Sequence, residues 1–355
     1  MGNNITIIDV AKAAGVSIAT VSRVINDNAK VDEALAARVR RTIGELKYTP
    51  NPHARSMKRA RENSIGIIIP SAHDNFFSHI LEGVLQAAEY YNLRVIVYSC
   101  HGSSSFEENC LKSASTANIC GLLYCPSSDT NAMLLADIFP ADFPLVILYR
   151  RDFAPGVPHI YHDNIKGGYL ATKYLLKQGH KEIAFFAGFW QDRFRDAKSM
   201  IDFMRDPKRG CYSSLDRLDG YMKALDEQGI PFDESLIFSI GYDFASGYER
   251  TKDFLSSLRD FDSIICCNDS AAAGVLQTLR EENISVPQQV SLIGYDDSVF
   301  ATIARPQLTS VRQEPDLLGY GSVEMLVNII HGDIVADRVV DVRLIIRNST
   351  FNKNT

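Results

Sequence analysis

Four side chains near the amino terminus, Ile18, Ala19, Ser22 and Arg23, have the types and spacing that can read DNA base edges. An arginine guanidinium donates a fork of hydrogen bonds to guanine, whereas isoleucine and alanine touch only apolar groups such as the thymine methyl. That chemistry needs a helix whose first turns enter the major groove. Residues 6 to 26 supply the positioning elements, two short helices around a Gly15-Val16-Ser17 turn. Thr6 followed three residues later by Asp9 has the form of a capping box with Asp in place of Glu. Val10, Ala11 and Ala14 form the apolar side of the first helix, and Val21 and Val24 face a small core. Gly15 gives the turn its backbone freedom, and Ser17 is placed to cap the second helix. After Asp32, placed to cap a third helix, Leu35, Val39, Ile43 and Leu46 recur at helical spacing, with Arg38, Arg40, Arg41 and Lys47 outside.

The same pattern describes an amphipathic helical hairpin packed on another element, so periodicity alone leaves both readings open. Charge favours DNA. Residues 1 to 61 carry a net charge of +6 and the rest of the chain −12, a polyanion-binding head on an acidic body. Within residues 48 to 63, Pro50 interrupts the preceding helix and Asn51-Pro52 offers a cap and a first-turn proline. So short and weakly apolar a helix does not stand alone. It reads as a linker that folds when paired or placed on DNA.

The 355 residues, 46% hydrophobic, suffice for two or three compact units. No apolar leader precedes the first helix, and no run is long enough to span a membrane, so a cytoplasmic, nucleoid-associated protein is expected. Seven cysteines without a Cys-x-x-Cys pair read as reduced thiols. Eight histidines without ligand spacing predict no metal site, and no cofactor is implied. Neither a nucleophile elbow nor a phosphate-binding glycine loop occurs, which argues against an enzyme.

From residue 65 onward, short β-branched runs alternate with amphipathic stretches. Ile65 to Pro70, Arg94 to Ser99, Gly121 to Cys125 and Leu145 to Tyr149 read as buried parallel strands. Glu182 to Ala187, Leu236 to Ile240, Ser263 to Cys267 and Val290 to Gly294 form a second set. The predicted fold class is an N-terminal all-α helix-turn-helix headpiece plus an α/β body of two doubly wound parallel-sheet lobes. In such sheets ligands bind outside the carboxyl ends of the strands.

The run from Asp9 to Asn26, followed by Leu46 to Met57, resembles the headpiece and hinge of the lactose/galactose repressor (LacI/GalR) family. Asp163-Asn164 with Gly167-Gly168, Gly179-His180, Arg217 to Tyr221, Asn268 to Gly274, Val286 to Asp297 and Pro306 to Ser310 extend the resemblance across the body, in the family's order. It implies a periplasmic-binding-protein-like body and a homodimer on a palindromic double-stranded operator. Its expected DNA contacts are Thr6, Ser17, Ile18, Ala19, Thr20, Ser22, Arg23 and Asn26, with Asn51, His53, Ala54, Arg55, Met57 and Lys58 in the hinge. Met57 stands where the family places a leucine that wedges a central base step, and a methionine can serve there.

The family's effector pocket falls on Phe76, Phe77, Arg217, Tyr242, Asn268 and Asp296. Asp74 and Trp190 are further candidates, although a tryptophan after a strand reads equally as packing. Of Phe76 and Phe77, one is expected in the core and one against the ligand. Carboxylates, a guanidinium fork, an amide and aromatic faces suit a polar ring, a sugar first and a purine second.

The expected organisation is a headpiece at 1–49, a hinge at 50–63 and an effector-binding and dimerisation domain at 64–355. Its N-lobe would comprise about 64–162 and 292–322, and its C-lobe about 163–291 and 323–355, with crossovers near 162, 292 and 322. The predicted function is a sequence-specific transcriptional regulator of the repressor type, controlled allosterically by a sugar. The alternatives are a regulator responding to a purine-type corepressor and a sugar-binding protein that does not bind DNA. One departure stands out: Gly188 and Arg217 are separated by residues 189 to 216, much longer than in the family, and this insertion falls at the expected pocket rim. It is either a surface excursion or a lid or partner surface that replaces some pocket contacts.

Overall fold

Valine and alanine build the first of two contact units, residues 1–62 and 63–355. The computed structural model describes residues 7–26, 31–46, 63–128, 131–190, 194, 197–206, 210–257 and 260–354. In the first unit, α1 (Ile7–Ala14), α2 (Ile18–Asn26) and α3 (Glu33–Glu45) enclose Val10, Ala11, Ala14, Val21, Val24, Ala36 and Val39. Ala36 takes the inner place on α3, while Leu35 is only half-buried. At φ +66°, Gly15 turns the chain so that its own amide and that of Val16 reach back to the carbonyls of Lys12 and Ala11. The Ser17 hydroxyl then accepts the Thr20 amide at 3.1 Å, and Asp32 accepts the Leu35 amide at 3.1 Å. Both are side-chain caps on otherwise unsatisfied helix amides.

The second unit runs β1 (Ser64–Ile69), α4 (Asn75–Tyr90), β2 (Arg94–Ser99), α5 (Ser104–Thr116), β3 (Gly121–Tyr124), α6 (Ala132–Ile138), β4 (Leu145–Leu148) and β5 (His159–His162). It continues with α7 (Asn164–Lys177), β6 (Ile183–Gly188), α8 (Ala197–Arg205), α9 (Ser213–Asp226), β7 (Ile237–Ile240), α10 (Phe244–Ser256), β8 (Ser263–Cys266), α11 (Asp269–Glu281), β9 (Ser291–Asp296) and α12 (Val299–Ile303). The last elements are β10 (Thr309–Arg312), α13 (Pro315–His331), β11 (Arg338–Val340) and β12 (Arg343–Ile345). Two six-stranded sheets result, ordered β11-β5-β4-β3-β1-β2 and β12-β10-β9-β8-β6-β7. Every strand pair is parallel except β10 with β12. Strands β1, β3, β4, β6 and β8 are buried along their whole length, as continuous apolar runs covered on both faces should be.

The sheet order corrects the expected lobe boundaries. The first crossover follows His162. The expected crossover near 292 falls inside β9, whose Ser291, Leu292 and Ile293 pair with β8 in the second sheet. The chain returns to the first lobe only after Arg312, where α13 packs against α4 and β11 pairs with β5. The crossover expected near 322 lies within α13, and the actual third passage separates β11 from β12. The physical reason is that strands of both lobes carry the same buried apolar pattern, which cannot reveal the sheet in which each finds its neighbours.

Glycine sets the spacing between helices that support the cleft. A methyl group on Gly168 of α7 would strike the Arg217 carbonyl of α9, and one on Gly220 of α9 would strike the Ile165 carbonyl of α7. This reciprocal pair brings the two helix backbones together and delivers Arg217 to the cleft floor. Among the described residues, no helix is long and apolar enough to cross a membrane.

Candidate functional site

Strand ends and helix starts of both lobes converge on one space within the second unit. On the first lobe, Asp74 caps α4 by accepting the amides of Phe76 at 2.9 Å and Phe77 at 3.3 Å. Burial raises its carboxyl pKa, and these two amides pull it partly back. Phe76 and Phe77 meet edge to face at 5.3 Å, and each packs on Tyr149. Both line the cleft and both belong to the core of that lobe. The expected division of one core ring and one ligand-facing ring is therefore not observed. Two adjacent rings on the first turn of α4 both reach Tyr149, which stands at the end of β4.

The second lobe contributes the charged floor. Arg217 donates to Asn164 Oδ1 at 2.8 Å and to the Cys267 carbonyl at 2.5 Å, and its guanidinium lies 3.7 Å from the Tyr295 ring centre. Burial works against its charge, but Tyr295 and Asp296 hold its pKa above the ordinary value. Asp296 ends β9 at φ +92°, a left-handed conformation that is uncommon for a residue with a side chain. Its Oδ1 accepts from Gln313 Nε2 at 2.6 Å. Burial pushes the Asp296 carboxyl up to about 6; Arg217 opposes this, Asp74 adds to it, and the Gln313 hydrogen bond lowers it.

Asn268 caps α11 through the Ala271 amide at 2.8 Å and donates to the Tyr242 carbonyl at 2.8 Å. Its Oδ1 also accepts from the Cys267 thiol at 4.0 Å, which leaves one amide proton of the side chain for a ligand. Tyr242 meets the Ser214 hydroxyl at 3.2 Å and the Tyr149 hydroxyl at 3.5 Å. Trp190 follows β6 and packs on Tyr242 at 5.1 Å and on Phe77 at 6.2 Å. Among the described residues its buried indole Nε1 has no hydrogen-bond partner.

All eight expected cleft residues, Asp74, Phe76, Phe77, Trp190, Arg217, Tyr242, Asn268 and Asp296, surround one narrow space of about 20 Å³. Tyr149 joins them there and was missed by sequence reasoning. Its place just beyond the carboxyl end of β4 was the available signal. Gln313, the clamp on Asp296, was missed as well and carried no such signal. Toward the front, a cavity of about 500 Å³ opens over Ser71, His73, Asp74, Asn268, Asp296, Ser298 and Phe300.

The His162-Asp163 pair serves the crossover. His162 Nε2 accepts the Glu314 amide at 3.2 Å, tying the first crossover to the second. Burial lowers its pKa to about 3, so the ring is neutral at working pH. Asp163 caps α7 through the Lys166 amide at 2.9 Å.

The 189–216 insertion supplies core as well as rim. Phe189, Phe194, Met200 and Ile201 are buried in the second lobe. Arg217, immediately after it, keeps its place in the cleft floor.

On the first unit, Ser17, Ile18, Ala19 and Arg23 are exposed and Thr20 is half-buried. Ile18 has 47% of its surface exposed at the start of α2, an apolar side chain outside the core cluster formed by the described residues of its unit. Thr6, Asn51, His53, Ala54, Arg55, Met57 and Lys58 lie outside the described residues, as do the side chains of Ser22 and Asn26.

Comparison with known proteins gives two family matches. Residues 6–51 match the bacterial regulatory proteins of the lacI family, and residues 172–350 match a periplasmic binding protein-like domain. The chain is 33% identical to the HTH-type transcriptional regulator RegA of Clostridium saccharobutylicum over 97% of this chain and 98% of that protein. It is 28% identical to catabolite control protein A of Priestia megaterium over 98% and 99%, respectively. Among solved structures, it is similar to a complex of the transcriptional regulator CelR with cellobiose, with TM-score 0.69, 28% identity and coverage of 97% and 99%. It is also similar to the lac repressor dimer bound to operator and the anti-inducer ONPF, with TM-score 0.71, 26% identity and coverage of 98% and 100%.

Proposed function

The chain belongs to the lacI family of bacterial regulatory proteins, and from this we propose that it is an operator-binding regulator of the repressor type, controlled by a sugar in the interlobe cleft. The observation that carries the reading is the convergence of Asp74, Asp296, Asn268 and Arg217 with the rings of Phe76, Trp190 and Tyr242 around one space. Carboxylates accept hydroxyl protons, the amide and guanidinium donate to ring or hydroxyl oxygens, and aromatic faces cover the apolar side of a pyranose. The similar regulator in complex with cellobiose supports the same class of ligand.

Regulation on this reading needs no covalent step, and no enzymatic activity is assigned. A ligand that favours one lobe arrangement shifts its population, and operator affinity changes by the same coupling free energy. In this proposal residues 1–49 form the DNA-reading headpiece and 50–63 the hinge. Ser17, Ile18, Ala19, Thr20, Ser22 and Arg23 lie at the major groove, with Asn51 to Lys58 near the minor groove. One headpiece reads a half-site, so the working form is a dimer on a near-palindromic operator in the cytoplasm.

The test is fluorescence anisotropy with palindromic duplexes at two salt concentrations, with and without candidate sugars. Binding should weaken with salt, retain a sequence preference and respond to a sugar. Binding without sequence preference, or no binding, would remove the regulator reading; indifference to every sugar, with a response to purines, would replace the sugar by the purine class.

A further inference from the structure

The last residues of the insertion, 211–216, reach from their own lobe to the other. Arg150 Nε donates to the Cys211 carbonyl at 2.6 Å, and its guanidinium lies 4.0 Å from the Tyr212 ring centre. Arg151 makes two hydrogen bonds to the Asp216 carboxylate, at 2.8 and 3.0 Å. The Ser213 hydroxyl donates to the Tyr149 carbonyl at 3.1 Å. Between these contacts and the cleft lies a second cavity of about 150 Å³, bounded by Gly102, Ser127 and Tyr149 on one lobe and by Trp190, Tyr212 and Tyr242 on the other. Trp190 and Tyr242 line the front cavity, this rear cavity and the narrow space of about 20 Å³ that shares walls with both. That narrow space has room for one group the size of a water molecule.

We propose that the cleft takes a two-ring glycoside, one ring in each cavity, with the linking oxygen at the waist beside Trp190. The inference rests on the reading of the cleft as a sugar site and deepens it. Each cavity offers what a polyhydroxyl ring uses, an aromatic face and hydrogen-bonding groups. In front these are Phe76 and Trp190 with Asp74 and Asp296. Behind, Tyr149 and Tyr212 stand with Ser127, whose proton goes to the buried Glu107 and whose oxygen, 3.8 Å from the Cys100 thiol, is an acceptor. A glycosidic oxygen is the single-atom link that so small a waist admits, and the Trp190 side chain forms part of its wall. A lone ring in front would leave the rear cavity to water.

Trp190 is the only tryptophan of the chain, so intrinsic fluorescence of the full-length protein reads the waist directly. The probes are glucose, galactose and fructose and the disaccharides maltose, cellobiose, lactose and sucrose. The expected result is that at least one disaccharide changes the emission and binds tenfold or more tightly than either of its component monosaccharides. Tyr212→Ala should abolish that advantage and leave monosaccharide affinity within twofold; Tyr212→Leu, which keeps an apolar wall, serves if alanine unfolds the segment. A monosaccharide that binds as tightly as every disaccharide overturns the proposal, and so does a disaccharide advantage that survives at Tyr212. If no sugar of either kind binds, the sugar reading itself fails and the two-ring inference goes with it, an outcome separate from tight monosaccharide binding.

Discussion

Replacing Asp296 by asparagine should stabilise the ligand-free protein at neutral pH while weakening its hold on the ligand. The carboxyl lies buried between Arg217, Asp74 and Gln313, with the buried Asp269 close enough to be affected by its charge, and its pKa stands at about 6 against an ordinary 3.8. A raised folded-state pKa means that the fold prefers the neutral acid. Stability is therefore greatest below the unfolded value and is lost as pH rises toward 6, after which the penalty is constant. Linkage puts that penalty at about 1 kcal/mol by pH 4.5 and about 3 kcal/mol by pH 7.5. Asparagine keeps an oxygen for Gln313 and carries no charge, so Asp296→Asn removes the penalty. Urea unfolding of both proteins at pH 4.5 and 7.5 should show the variant gaining about 2 kcal/mol on the wild type between the two pH values. Loss of a charged acceptor should cost the ligand about 1.5 to 3 kcal/mol, or roughly 10- to 150-fold in Kd. A stability difference independent of pH would refute the burial argument, and unchanged ligand affinity would move the site away from Asp296.

Other substitutions test the headpiece and the supporting frame. Arg23→Ala should reduce discrimination at one base pair per half-site by about 1 to 3 kcal/mol in competition binding and leave sugar binding intact; equal loss on every DNA sequence would make Arg23 a phosphate contact only. Ser17→Ala removes the hydroxyl that caps α2 and should cost about 1 kcal/mol, read as faster amide exchange in α2 and weaker operator binding; unchanged exchange would show that the cap contributes nothing. Gly168→Ala places a methyl group against the Arg217 carbonyl and should destabilise the second lobe by about 1 to 3 kcal/mol while weakening ligand binding, with wild-type thermal unfolding as the refuting result.

Local chemistry was legible where one residue acts on its near neighbours. Gly15 and Ser17 make the turn and cap that their types predict, and Asp32 caps α3 in the same way. The strands were visible as apolar runs, each within one or two residues of its observed bounds, but β2, read as buried, lies at the edge of its sheet with Ile96 and Val97 exposed, because a β-branched run does not reveal whether a neighbour covers it. The eight cleft residues were reached through the family's motif order rather than from spacing, because they lie up to 222 positions apart, from Asp74 to Asp296. Leu35 was misplaced for a smaller reason: Ala36, Val39 and Ile43 turn a neighbouring stripe of α3 inward.

The sequence by itself determined the helical turn, the charge asymmetry between head and body and the alternation of strands with helices, because these depend on residues within one or two turns of each other. Tertiary structure alone decided that β9 and β10 belong to the second sheet and that α13 returns to the first, since sheet partners are chosen by non-local pairing. It also decided that both Phe76 and Phe77 meet Tyr149, that Gln313 clamps Asp296, and that the insertion encloses a second cavity through Arg150 and Tyr212. Each of these contacts joins segments distant along the chain, and only the folded packing of two lobes brings them within a few ångströms.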